Sequence, residues 1–465
     1  MTDVFEVTRQ LLADAGLPPD VADKLQLTGH EPVLPSSFAV GTAAQSTIAA
    51  AALAACALGR LRGQAAQGVS VDMLHAAIEC MGWFSQDGVA PDLWDSFSGL
   101  YRAADGWVRI HANFVHHREG ALRLLGLDPA VATRSDAEAA VAKWNAADFE
   151  DAAAAAGLVV TRLRSFEEWD ATPQGRALAE QPLFSLRRIG DAPPLELPPP
   201  CAGQRPLTGI RVLELTRILA GPVGGRTLAA HGADVLLING PHLPNIAAIA
   251  DTSRGKRSAL VDLRDDEGKE TLRGLVGGAH VFIQGYRPGG IEGRGFGPEK
   301  LALLRPGIVV VSLSAYGTKG PWAGRRGFDS LVQTAMGFNH AESEAAGDTK
   351  PRPMPVQILD EATGYLMAMA AAAALYRQQT EGGSWLVEVS LAQTGRWLRG
   401  LGRVVEGFTA NLPKTLEQAG YDQYLESSES GFGALRAVRH AAILSGTPAG
   451  WDLPSEPPGS HSPTW

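Results

Sequence analysis

Cysteine is scarce in this chain, and the scarcity rules against whole classes of protein. Only 3 occur in 465 residues (Cys56, Cys80 and Cys201), far apart and without CxxC spacing. That pattern argues against a disulfide framework or a thiolate zinc site and for a reducing, cytoplasmic setting. Positive charge is also in deficit: 41 Lys and Arg face 50 Asp and Glu, a net charge of -9. No global basic field draws nucleic acid or an anionic membrane, so neither is an expected partner. A polyanionic ligand would need a local cluster of Arg and Lys. The candidate membrane span with the longest apolar run, STIAAAALAACALGRLRG (46–63), is Ala-rich. It is shorter than the ~20 apolar residues a bilayer needs and reads as a buried helix. The start, MTDVFEVTRQLLADAGLPPD, has early acidic residues and no long apolar core, so it is not expected to be a signal peptide. GxSxG is missing, and SLSAYGTKGP (312–321) lacks elbow spacing, which leaves serine hydrolase chemistry with little support.

What remains is an ordinary globular composition, 45% apolar and 20% charged, of a length that predicts about two to three domains. Residues 190–206, GDAPPLELPPPCAGQRP, are dense in Pro and Gly and read as a linker. Behind it, IRVLEL (210–215), DVLLI (234–238), HVFIQ (280–284) and GIVVVSLS (307–314) alternate with helical stretches such as DEGKETLRGLVG (266–277). Short β-branched strands alternating with helices predict an α/β fold, a Rossmann-like parallel sheet flanked by helices. Ahead of the linker, SGLYRAADGWVRIHANF (98–114) predicts a hairpin turning at Ala104-Asp105-Gly106, followed by Ala-rich acidic helices; this is a second, smaller α+β domain. The expected divisions are 1–36 (helical), 37–90 (helix and strand), 91–189 (small domain), 190–206 (linker), 207–400 (Rossmann-like domain) and 401–465 (C-terminal segment).

An internal echo ties the halves together. With Arg60 set on Arg377, residues 48–76 align without a gap on 365–393, each an Ala-rich helix, a Gly-containing turn and an alternating strand. Asp360 then falls on Ala43, and Glu361 on Ala44. One copy carries carboxylates that the other lacks.

Each candidate motif has a functional and a bland reading. LTRILAGPVGGRTLAAHGADVLLI (215–238) is a strand, a Gly-rich turn and a helix. The glycines allow close backbone approach to an anionic ligand, or they simply make a tight turn. GxGxxG is absent and Asn239 closes the second strand where an acid is needed, so NAD is disfavoured. Arg254, Lys256, Arg257, Arg287, Arg294, Arg325 and Arg326 lie in loops of this half; together they suit several phosphates, singly each reads as solvated surface. His111, His116 and His117 lack acidic or cysteine partners at ligand spacing, which disfavours a metal. Asp360, in PVQILDEATGY (355–365), precedes an Ala-rich run. It reads as an N-cap worth about 1 kcal/mol, or as a nucleophile whose charged form a helix N-terminus favours.

Four stretches carry a family resemblance: LTGIRVLELTRILAGP, GKRS…VDLRDDEGKETL, VFIQGYRPGGIEGRGFG and VVVSLSAYGTKGPWAGRRGFDSLVQTAMG, in that order. Over about 207–393 the chain resembles the family III CoA-transferases, the group of formyl-CoA transferase and carnitine CoA-transferase. The resemblance implies CoA transfer from an acyl-CoA to a carboxylic acid through an aspartyl-CoA intermediate, with coenzyme A as substrate and no tightly bound cofactor. DEATG (360–364) matches the family's nucleophile motif, which implies Asp360 as nucleophile. CoA contacts are implied at Arg217, Leu219, Lys256, Arg257, Gln284, Arg287, Arg294 and Tyr316. Family members form interlocked dimers, so the resemblance implies a homodimer, or one polypeptide that supplies what they take from two.

The chain departs from the family pattern. Its order is permuted, since 37–200 resembles the rear part of a member yet precedes the front part; it reads as the remnant of a tandem fusion. WFSQDGVAPDLWDSF (83–97) has one glycine where transferases often carry a Gly-rich active-site loop. Phe328 stands where racemases of the superfamily place a proton-moving His before an Asp. Phe328 cannot move a proton, which counts against racemisation; a CoA-binding protein without turnover is the main alternative, and an acyl-CoA racemase or isomerase with Asp360 as base is the weaker one.

Overall fold

In a computed structural model, residues 3–410, 412 and 421–465 are described; the parts of the expected segments 1–36 and 401–465 outside these are not. The strands of the large sheet are β1 (Phe184–Gly190), β2 (Arg211–Leu215), β3 (Asp234–Asn239), β4 (Lys256–Leu260), β5 (Val281–Gln284), β6 (Val309–Ser314) and β7 (Ser384–Ser390). Their order is β4-β3-β2-β5-β6-β7-β1, and β2 to β7 are parallel throughout. Without β1 this is the doubly wound order, which reverses between β2 and β5 and opens a crevice beyond their C-terminal ends. The sequence explains the depth of these strands: every residue of β5 is buried, as expected where helices cover both faces.

One edge departs from the all-parallel expectation. β1, from the segment assigned to the small domain, pairs antiparallel with β7. Arg187 and Arg188 are exposed on it, and charge on an edge strand discourages pairing with another sheet.

Five helices position the site: α1 (Val40–Leu61), α2 (Val115–Leu124), α3 (Ala220–Ala230), α4 (Asp329–Met336) and α5 (Ile358–Glu381). α1 and α5 pack on each other in the main core. Both are long and apolar enough to cross a membrane by length and composition, but their apolar windows are 94% and 100% buried inside the protein. They are core helices, apolar all round because they have no solvent face. The internal echo is visible in their surroundings. α1 leads into strand Val69–Asp72 and a helix capped by Asp72, and α5 leads into β7 and a helix capped by Ser390.

The small domain is a three-stranded antiparallel sheet, Gly99–Arg102, Trp107–Ile110 and Val160–Arg162, with a core of Tyr101, Val108, Val141 and Phe149. The expected hairpin closes at 103–106, where Ala103 N–H donates to Gly106 O at 3.0 Å. The domain sits against α4, and Phe114, His116 and His117 at the start of α2 line a cavity together with residues that follow β2 and β5.

Candidate active site

β2 ends at Leu215 and the chain turns through Thr216-Arg217-Ile218-Leu219 into α3. Ile218 has φ +81°, a conformation a β-branched residue adopts only under constraint and a recurrent mark of ligand sites. The glycines that follow serve packing within the protein. A Cβ on Gly221 would stand 2.4 Å from Thr216 Cβ, and one on Gly225 would overlap the Glu214 carboxylate. A Cβ on Gly364 of α5 would stand 2.6 Å from Ala220 O of α3. These small residues let α3 and α5 cross with their N-terminal turns side by side.

Beyond the ends of β2 and β5 lies a cavity of about 360 Å³, at the topological switch point. Arg217, Arg287, Arg325 and Arg326 line it, with His116, His117 and Phe114 of the small domain opposite. Arg217 donates to Pro244 O at 2.6 Å. Arg326 lies 2.9 Å from His117 Nε2; since guanidinium only donates, that nitrogen accepts and the imidazole is neutral. Burial, then the His116 and Arg326 charges, pulls His117 down to about 3. Four cations around one crevice suit a ligand with several phosphates.

Asp360 lies in the first turn of α5, buried, and is not its N-cap. Gln357 holds that position without a side-chain bond. The capping acceptor comes from α4: Asp329 Oδ2 accepts the Asp360 N–H at 2.9 Å, and Gln333 Nε2 donates to Asp329 Oδ1 at 2.5 Å. The expectation that a helix N-terminus keeps Asp360 charged is corrected as well. Burial first, then the Asp329 charge, raises Asp360 well above the usual carboxylate range, against a lowering contribution from the Ala220 N–H. Asp329 is itself raised to about 6 by burial. Burial and mutual repulsion make the pair hold a proton to higher pH than two separate carboxyls would, the behaviour of two acids in one buried site.

The other sequence-derived residues divide by position. Arg217 and Arg287 line the cavity. Gln284 is buried at the end of β5, where its Oε1 accepts the Tyr286 N–H at 2.7 Å next to the cavity. Leu219 is the N-cap residue of α3 and packs against the main core. Lys256 is not brought to the cavity: its ammonium is fully buried, 2.8 Å from Glu214 Oε2 and donating at 2.8 Å to Pro222 O. Arg257, at the N-terminal end of β4, is held by Asp234 and donates to Thr464 O. Arg294 donates to Leu263 O at 3.0 Å. Tyr316 is buried edge-on against Trp322. Arg254 is spent on Asp251 and Glu426. The cations that line the cavity are therefore Arg217, Arg287, Arg325 and Arg326, of which Arg325 also stands 3.8 Å from Glu150 and from Asp151.

Glu361, beside the nucleophile candidate, is buried with Oε2 unpartnered. It faces Arg226, which holds Asp251 and lies 3.8 Å from Glu79. His111 stacks on Phe328 at 4.0 Å and 11°. Among the described residues no group of three His, Cys, Asp or Glu is arranged to hold a metal ion. Asp329 was not singled out from sequence for this site. The signal was GFDSL, an acid directly after Gly-Phe, but only the fold brings it to a residue 31 positions on.

Residues 207–402 match the profile of CoA-transferase family III. That segment is similar to the family. Among curated proteins, the chain is 31% identical over 312 residues to an acyl-CoA transferase of Gibberella moniliformis, covering 63% of this chain and 55% of that one. It is 33% identical over 201 residues to a Mycobacterium tuberculosis protein named "Probable fatty acyl-CoA transferase", covering 40% and 50%. It is 34% identical over 205 residues to a succinate–glutarate CoA-transferase of Agrobacterium fabrum, covering 40% and 51%. The chain spans about half the length of these curated relatives. The matched segment contains the four cavity arginines, Asp329 and Asp360, whereas Arg109, His111, His116 and His117 lie outside it.

Proposed function

We propose that this protein transfers CoA from an acyl-CoA to a carboxylic acid through covalent intermediates on Asp360. The observation that carries the reading is the placement of Asp360. It is a buried carboxyl where the first turns of α3 and α5 meet, paired with Asp329; Asp360 is not itself among the residues that line the arginine-ringed cavity, but Phe328, the residue before Asp329, is. Arg217, Arg287, Arg325 and Arg326 hold the CoA phosphates, and the strained turn at Ile218 leads the thioester toward α3. Asp360, once its proton has left, attacks the thioester carbonyl through a carboxylate oxygen; the C–S bond breaks, and CoA leaves as the thiolate. The mixed anhydride is then attacked at the Asp360 carbonyl by that sulfur, which releases the donor acid and leaves an aspartyl-CoA thioester. The acceptor carboxylate repeats the two steps in reverse order. Burial keeps water from the anhydride, and the activation energy stays in covalent form. Named relatives act on succinate and glutarate, which makes dicarboxylic acids the first acceptors to test.

The test is incubation with a panel of acyl-CoAs, trapping with hydroxylamine and mass spectrometry of the Asp360 peptide. Adduct on Asp360, absent from Asp360→Ala, is expected. CoA binding without adduct from any member of the panel would leave a binding protein without turnover. One observation bears on a second reading, proton transfer at an acyl-CoA α-carbon, and counts against it: His117 lines the cavity, but its Nε2 accepts from Arg326, so Nδ1 carries the proton and neither nitrogen is left free as a base. Deuterium wash-in at Cα without CoA exchange would establish that reading instead.

A further inference from the structure

Buried arginines in this fold are satisfied by design of their surroundings. Arg226 and Arg254 bind Asp251, Arg164 binds Glu150, and Arg62 donates to the carbonyls of Pro206, Pro198 and Thr208. Arg109 differs. It lies on the middle strand of the small domain and is 7% exposed. Among the described residues, its side chain makes no hydrogen bond and no carboxylate comes within ion-pair distance; Nε is buried and unpartnered. Its guanidinium lies 5.5 Å from the Trp94 ring centroid. Burial pulls it down to about 10, with Asp329 as the opposing charge. A buried cation left without partners is costly, and a chain retains one where a ligand completes it.

The neighbours of Arg109 point toward the reacting pair. His111, two residues on and just past the end of that strand, is buried with Nδ1 unpartnered. Its ring stacks on Phe328, the residue before Asp329, and meets Trp94 edge-on at 6.1 Å. Trp94 comes from 83–97, the stretch that stands in place of a Gly-rich loop. Trp94, Arg109 and His111 thus form a small-domain wall against Phe328-Asp329. The Phe328 ring also lines the cavity, so this wall adjoins it and is separate from the four arginines assigned to phosphates. The open donors are a planar fork, matched in shape and charge to a carboxylate.

We propose that Arg109 receives a carboxylate of the acyl acceptor, held against Trp94 and His111 beside the Asp329–Asp360 pair. The proposal rests on Asp360 being the nucleophile. The carboxylate is either the reacting one or the far one of a dicarboxylic acid, and the test separates them.

Acetyl-CoA serves as donor, with butyrate and succinate as acceptors of equal chain length, for the wild type, Arg109→Gln and Arg109→Lys. In Arg109→Gln the acceptor KM rises about 10- to 100-fold, the range for loss of charge-assisted hydrogen bonds. The acetyl-CoA KM stays within about 3-fold, and hydroxylamine-trapped adduct on Asp360 still forms from acetyl-CoA alone. Arg109→Lys, with the charge but not the fork, falls between. A rise for both acids assigns the reacting carboxylate; a rise confined to succinate assigns the far one. Unchanged acceptor KM for both acids, or an equal loss for donor and acceptor, overturns the proposal. If the wild type forms no adduct, the nucleophile reading has failed. Thermal shift then decides the Arg109 site by itself: succinate raises the wild-type Tm and not that of Arg109→Gln, and no wild-type shift overturns it.

Discussion

Asp329→Asn tests the electrostatics of the site without touching the nucleophile. Asp329 moves from an ordinary 3.8 to about 6 in the folded chain. Between those values the folded state holds a proton that the unfolded state has released. Stability attributable to this group therefore falls as pH rises from about 4 to about 6. At ~1.4 kcal/mol per unit, a shift of roughly two units amounts to ~3 kcal/mol. Asparagine keeps an oxygen to accept the Asp360 N–H but sets Nδ2 against the Gln333 Nε2 donor, a loss that does not vary with pH. From pH 4 to pH 6 the stability of the variant relative to the wild type should therefore rise by up to ~3 kcal/mol. Removing the Asp329 charge also removes the second cause of the raised Asp360, so the acidic limb of the adduct-formation rate should move to lower pH. Urea unfolding midpoints from pH 3.5 to 8, paired with single-turnover adduct yields, measure both effects. A stability difference that is flat with pH, or an acidic limb that stays in place, would refute the shared-proton account of the pair.

Gly364→Ala should lose adduct formation and about 1–3 kcal/mol of stability, because its Cβ would stand 2.6 Å from Ala220 O and force α3 away from α5; wild-type adduct yields in a folded variant would contradict this. Lys256→Met strands the buried Glu214 carboxylate, so unfolding should show a cost of about 3–5 kcal/mol, while CoA affinity in a calorimeter changes little in folded protein. Arg326→Ala, by contrast, should weaken CoA binding by roughly 10-fold or more with little change in Tm, as expected for one charge-assisted phosphate contact.

The large sheet was legible because its strands are short runs of Val, Ile and Leu separated by turns, a pattern set by burial on both faces. The role of β1 was not. FSLRRIG follows the small domain in sequence, and only pairing to β7 reveals where it belongs. Cation-rich loops could be seen in the sequence, but not which cations were free: Lys256 and Arg257 read like Arg287 until Glu214 and Asp234 are found beside them. Asp329 and Arg109 escaped notice for the same reason. Their significance lies in a contact or a missing contact between segments far apart in the chain, and no local spacing encodes either.

The two echoing helices make the chain its own control for Asp360. α1 begins as α5 does, with a carboxylate from another segment on its first turn: Glu31 Oε1 accepts the Thr42 N–H at 2.8 Å, as Asp329 does for Asp360. At the place of Asp360, α1 has Ala43, wholly buried and packed in the same core. A helix of this kind is thus capped and buried in this protein without the second carboxyl. In α5 that carboxyl is an electrostatic burden, since burial and a like charge both oppose its ionisation, and two acids in one dry site destabilise the fold they occupy. Local stability therefore gives no reason for Asp360. A carboxyl that costs the fold stability and that local structure does not need is the kind of group found at functional sites, and this supports the covalent role proposed for it.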